Sequence, residues 1–266
     1  MDRGTQTPGS ARRLAPAVAA LLAGLLFGAA GILTIVAAEL RWGAACAGSW
    51  DDPSCLTVQD HRYDYLAPME QPAASGTFEP PADWVPIRGA APMAGVALFL
   101  VAVAMLLMFV TMRAHLLSRL AQVIVVLAVA MLGIVTTASG VIGHPLPGFN
   151  PVNMFGFFIW AMFGPLVLIA TTLHWALDPP FQGPLPVAAW RAWPSILLLA
   201  TPLIGMAISS VVAGGYLAYD SMPWEEAVSG VLYVLTGVII IAGVGWKAAR
   251  RSRSRQRGVG PVVGVS

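Results

Sequence analysis

Residues 91–112 read APMAGVALFLVAVAMLLMFVTM, twenty-two consecutive positions without a charged side chain, and Arg113 ends the run. A hydrocarbon core about 30 Å thick takes roughly 20 apolar residues of helix to cross. In lipid the backbone must satisfy its own hydrogen bonds, so such a run is a membrane-spanning helix and not an open strand. Working outward from it, five further stretches qualify: 14–38, 120–142, 154–177, 195–218 and 227–246. The composition agrees. Hydrophobic residues make up 57% of the 266 and charged residues 11%, where a soluble domain carries about 25% charged residues. Too few charges are present to coat a water-facing surface. An ordinary soluble protein, a disordered chain, a disulfide-dense secreted domain and a nucleic-acid binder are all excluded, so no nucleic-acid partner is expected. The sequence predicts an all-α transmembrane protein, a six-helix bundle.

Two spans carry helix breakers. Span 195–218 contains Pro202 and ends near Gly214-Gly215, and span 154–177 contains Gly164-Pro165, which predicts a kink. The first span follows Arg12-Arg13 and reaches Val36-Ala37-Ala38, a small-residue run like a signal-peptidase site. Its apolar stretch is longer than the 7–15 residues of a signal-peptide core, so it is expected to stay as a span.

Charge sets the expected orientation. Six crossings put both termini on one side. That side receives 12 of the 15 Lys and Arg against only Asp2 and Asp178, while the other receives Arg41, Arg62 and Arg88 against eleven acids. The positive-inside rule makes the basic side cytoplasmic. The expectation is an N-in/C-in protein with a cytoplasmic segment 1–13, an extracytoplasmic loop 39–90 and a basic cytoplasmic tail 247–266. Fourteen of the fifteen basic residues are Arg and Ala, Val and Gly abound, as in GC-rich bacterial chains, which points to a bacterial plasma membrane.

Both cysteines, Cys46 and Cys55, fall in the long outer loop. That compartment is oxidising, so a structural disulfide is expected; eight residues between them is not the C-x-x-C spacing of a redox pair. The same loop holds Asp60, His61 and Asp64, a possible zinc or manganese set if they share one helical turn, with a solvated polar loop as the plainer reading. Prolines 68, 72, 80, 81 and 86 make the rest of the loop an extended connector. Eight of nine Trp lie at predicted span edges, only Trp160 mid-span, which suits the headgroup preference of indole.

No ionisable residue lies near the middle of any span, which removes the usual machinery of proton-coupled transport. Glu225 and Glu226 follow Pro223-Trp224 at the start of the last span, where acids suit the helix dipole. Thr136, Thr137 and Ser139 form a polar patch in the third span, where hydroxyls usually bond the carbonyl four residues back. His115 and His174 sit at the cytoplasmic ends of two spans, and such a pair is a candidate for axial haem b ligation; no other cofactor is expected. Hydrolase motifs such as H-E-x-x-H and G-x-S-x-G are missing from the sequence. Gly24 and Gly28, with Gly31, mark a face for close helix packing, as Gly237, Gly243 and Gly245 do for the last span. Lys247, Arg250, Arg251, Arg253, Arg255 and Arg257 form a juxtamembrane basic cluster expected to contact anionic lipid.

In ground plan the chain resembles six-span bacterial and archaeal membrane proteins of unknown function, Frag/DRAM/Sfk-like in architecture. The likeness rests on Tyr63-x-Tyr65 in the long first outer loop, on Gly140-x-x-Gly143-x-Pro145, and on a last helix opening with Glu225-Glu226 and closing with Trp246 and a basic tail. The disulfide loop departs from that group, and the resemblance implies no residue-level role. The leading functional expectation is a non-enzymatic accessory, assembly or lipid-interacting subunit of a cell-envelope system, with membrane lipids and a membrane protein as partners. A small-molecule transporter comes second, and a haem- or metal-dependent membrane enzyme third.

Overall fold

The computed structural model describes residues 10–47, 52–58, 87, 89–112, 114–144, 146, 155–177, 187–212 and 224–258. Every described element is helical. Helix α1 (Ser10–Ala38) runs on into a π turn at Glu39–Gly43, and α2 is short (Pro53–Val58). Then come α3 (Ala90–Val110) and α4 (Leu116–Ile142), followed by a second π turn (Ile159–Phe163) that leads into α5 (Gly164–Leu177). The chain ends with α6 (Val187–Leu199), α7 (Pro202–Val212) and α8 (Glu225–Gly258). Among the described residues, five stretches are long and apolar enough to cross a membrane: Ala15–Gly43, Ala90–Val110, Leu116–Ile142, Phe155–His174 and Glu225–Arg250.

The helices pack in a closed circuit. α1 lies against α3 and α8, α3 against α4, α4 against the second π turn and α5, α5 against α6, and α6 against α8. Phe27, Met105, Met108, Leu132, Leu168, Trp193 and Ile240 fill one shared core. The Trp193 ring stands 6.2 Å from Phe27 and 6.1 Å from Phe109, centre to centre. Trp193 and Trp42 are both fully buried. Outward-facing Leu25, Ile32, Val110, Leu127, Ile134 and Val238 are exposed, as lipid-facing positions must be when the surrounding solvent is hydrocarbon.

Glycine sets how closely two of these pairs approach. Along the antiparallel α1–α8 seam, a Cβ on Gly24 would stand 2.7 Å from Ile241 Cγ1, one on Gly230 would stand 2.8 Å from the Gly31 carbonyl oxygen, and one on Gly237 would stand 2.9 Å from the Gly28 nitrogen. Gly28 itself has open space where a Cβ would point, and so has Gly245. The α3–α4 pair repeats the arrangement, with Gly133 over the Gly95 carbonyl and the Phe99 nitrogen, each 2.7 Å from a would-be Cβ.

Proline shapes the other half of the circuit. The stretch expected as one span at 195–218 is two helices, α6 and α7, separated at Ala200 and Thr201. Pro202 has no N–H and would collide with the carbonyl four residues back, which favours a break at this point. The chain turns instead: Ala200 N–H donates to Leu197 O at 3.1 Å and Thr201 N–H to Leu198 O at 3.2 Å. The Thr201 hydroxyl donates to the same Leu198 carbonyl at 2.7 Å. The kink expected at Gly164-Pro165 takes another form. The Gly164 N–H reaches back to Ile159 O, widening one turn into a π-helix, which relieves the clash Pro165 would otherwise make. The Trp160 indole lies over Gly164, where a Cβ would be 2.6 Å from Cε3.

Candidate functional site

One end of the bundle carries a built cap. As α1 widens into its π turn, it turns Arg41 and Trp42 inward, and both side chains are buried. Cys46 N–H donates to Trp42 O at 2.8 Å, and a disulfide joins Cys46 to Cys55 on α2. Ala38, Trp42, Cys46 and Cys55 form a small core of their own, with Val58, Trp224 and Ala227 packed against it.

The polar centre of the cap is a buried ion pair. Arg41 Nη1 lies 2.7 Å from Glu226 Oε1, and Trp42 Nε1 donates to Glu226 Oε2 at 2.7 Å. Arg41 Nη2 donates to the Val58 carbonyl of α2 at 3.3 Å, and its guanidinium stacks 4.3 Å above the Trp42 ring. Both Glu226 oxygens are thus engaged by α1, and one arginine ties α1, α2 and α8 together. Removing one partner of such a pair leaves a buried charge uncompensated, which costs about 3–5 kcal/mol. Trp224, just before α8, holds φ at +65°, a left-handed conformation that costs a non-glycine residue about 1–2 kcal/mol. Its packing against the disulfide core supplies the constraint.

The expectation for Glu226 was a helix-start acid serving its own helix dipole. Glu226 does lie in the first turn of α8, and its carboxylate also reaches across the bundle. In the sequence Arg41 carries only a topology signal and Trp42 only that of an edge indole. One signal was present in the sequence: opposite charges one helical turn from two span ends on the same expected side.

The opposite end gathers histidines and bases. His115 is the extended residue capping the start of α4, with φ −65° and ψ 157°, and His174 lies in the last turn of α5. Their ring centres are 6.0 Å apart at an interplanar angle of 74°. Arg119 folds back on the α3–α4 turn, donating to Met112 O at 3.2 Å and Ala114 O at 3.4 Å. Helix α8 continues to Gly258 and so carries Lys247, Arg250, Arg251, Arg253, Arg255 and Arg257 on one rigid element. The Arg250 guanidinium sits 5.4 Å over the Trp246 ring.

Hydroxyls within the spans serve their own helices. Thr34, Thr137, Thr171 and Thr236 each donate to the carbonyl four residues back, at 2.7–2.9 Å. Ser139 Oγ accepts from Leu146 N–H at 3.4 Å, and Thr136 Oγ1 is buried with no hydrogen-bond partner. The described hydrogen bonds do not link Thr136, Thr137 and Ser139 into a relay.

Asp60, His61 and Asp64 lie outside the described residues, as does most of the loop that holds them. Among the described residues, no three His, Cys, Asp or Glu side chains gather as a metal site. Comparison of the chain with protein-family models, with curated proteins and with solved structures gave no match.

Proposed function

We propose that this integral membrane protein crosses the bacterial plasma membrane six times with both termini in the cytoplasm. In this reading it acts as a non-enzymatic assembly subunit of a cell-envelope system. The fifth crossing is α6 and α7 together. The disulfide cap faces outward, and the basic extension of α8 meets the anionic headgroups of the inner leaflet, where each Lys or Arg contributes about 1 kcal/mol.

The buried Arg41–Glu226 pair carries this reading. Its charges engage each other, Trp42 and Val58, which supports a role in positioning the cap. A cap held by a disulfide, an ion pair and a buried indole is a stiff base for the extracytoplasmic loop, as a docking element needs. The test is extraction into native-lipid nanodiscs followed by mass measurement. The reading expects a defined assembly larger than the single chain, enriched in anionic lipid. A Cys46→Ser/Cys55→Ser variant loses the assembly, and Arg250→Gln/Arg253→Gln loses the lipid enrichment. A chain that leaves the membrane alone, with bulk lipid composition, overturns it.

A specific observation favours a transporter as the second reading. If Arg191 marks the inner edge of the fifth crossing, about 15 Å of helical rise reaches Thr201, half of the hydrocarbon thickness, and this reading sets the α6–α7 break near the midplane. α7 also packs on the second π turn. Discontinuous helices near the midplane are where secondary transporters hold substrates. Solute flux into liposomes containing the pure protein, altered by Pro202→Ala, supports this reading over the first; liposomes as tight as protein-free ones eliminate it.

A further inference from the structure

We propose that His115 and His174 form a two-histidine site for a borderline divalent transition metal ion, of the zinc, nickel or copper class. The proposal stands apart from the assembly reading and from the transporter reading. Two of the chain's four histidines, one at the start of α4 and one in the last turn of α5, converge to 6.0 Å between ring centres.

Elementary coordination geometry makes that distance meaningful. With a metal–nitrogen bond of about 2.0–2.1 Å and about 1.1 Å from ring nitrogen to ring centre, two imidazoles on one ion have centres about 5 Å apart at a tetrahedral angle and about 6.3 Å apart when opposed. The observed separation lies between those limits. Backbone position is fixed on both sides: His115 O accepts from Arg119 N–H at 2.9 Å, and His174 lies inside α5.

The setting suits an ion that arrives from water. His115 is exposed and His174 half-buried, so a hydrated cation reaches them without opening the core. Neutral imidazole is a ligand for Zn, Cu and Ni, whereas Mg and Ca prefer oxygen. Two protein ligands leave the remaining positions to water or an anion. The nearby Arg119 guanidinium is directed at the carbonyls of Met112 and Ala114. Bridging the start of α4 to the end of α5 clamps two neighbouring crossings, and an ion that binds only the folded state raises its stability.

The experiment uses the full chain without an affinity tag, freed of metal by chelator and titrated with Zn²⁺ alone by calorimetry, with thermal unfolding followed in parallel. The expected result is one ion per chain and a rise in Tm. His115→Ala and His174→Ala each lower the affinity by at least about tenfold and abolish the Tm shift, since even outer-shell partners of a ligand cost roughly 10–100-fold. His144→Ala, an exposed histidine near the disulfide end of α4, leaves both unchanged. Binding that survives in the two variants but is lost in His61→Ala overturns the proposal in favour of the outer loop. A Soret band in the purified protein overturns it in favour of haem, and a flat titration overturns it outright.

Discussion

The α1–α8 seam and the α5–α7 arc are both built around residues that helices usually avoid, with opposite results. At the seam, missing side chains on Gly24, Gly31, Gly230 and Gly237 bring two unbroken helices into backbone contact. In the arc, Pro202 breaks the helix and Pro165 is absorbed by a π turn, and the groups set loose are satisfied nearby in the chain by Thr201 and by that turn. Glycine has moved the stabilising contacts between helices, while proline has kept them within one. The seam should therefore fail when its partner is altered, and the arc should tolerate local change.

The sharpest way to break that contrast is at the end of the seam. Glu226→Ala strands the Arg41 charge in a buried site and is expected to cost about 3–5 kcal/mol. Unfolding in mixed detergent micelles measures it. Replacing both partners, as Arg41→Met with Glu226→Met, should recover most of the loss, because an apolar pair of similar volume often costs little. If the double variant is as unstable as the single one, the pair is more than a charge balance and its hydrogen bonds to Trp42 and Val58 dominate.

Removing the disulfide is expected to have the next largest effect. Cys46→Ser with Cys55→Ser opens a short ring and should cost about 2–4 kcal/mol, since α2 then loses its covalent hold on the cap. Its effect should depend on Glu226→Ala, because Val58 on α2 receives Arg41. Additive losses in the combined variant would show two separate devices in place of one cap.

Within the seam itself, Gly237→Val places carbon against Gly28 and the Gly24 carbonyl. Overpacking of this kind costs about 1–3 kcal/mol. At Gly245 an added Cβ meets nothing within 4 Å, and Gly245→Val should leave the unfolding midpoint close to where it was. Equal losses at the two positions would mean that propensity, and not the seam, is being measured.

The sequence was most legible where the physics is one-dimensional. Span length and charge exclusion are properties of consecutive residues, and the apolar runs at 91–112 and 120–142 closely match α3 and α4. Gly164-Pro165 and Pro202 announced irregularity, since proline's missing donor acts on its own helix. What stayed hidden depends on which helices are neighbours. That Gly237 stands opposite Gly28, that Gly230 joins the same seam, and that Glu226 reaches Arg41 across 185 positions are facts of the packing circuit. The convergence of His115 and His174 belongs to the same class: their depth was readable, their adjacency was not.

The smallest effect bears hardest on the comparison. Thr201 is buried, and its hydroxyl donates to the Leu198 carbonyl that Pro202 leaves without its usual α-helical donor. Thr201→Val keeps the shape and removes that bond. Hydrogen bonds inside membrane proteins average only about 0.6 kcal/mol by double-mutant cycles, because the unfolded chain in the membrane finds partners too. The Thr201 N–H also still reaches Leu198 O in the variant, so a loss of about that size is expected and no more. Adding Pro202→Ala restores an N–H donor at position 202 and should cancel even this loss, by letting α6 and α7 run towards one continuous helix. If Thr201→Val instead costs as much as Gly237→Val, the break is held from across the bundle, and the arc depends on its neighbours as much as the seam does.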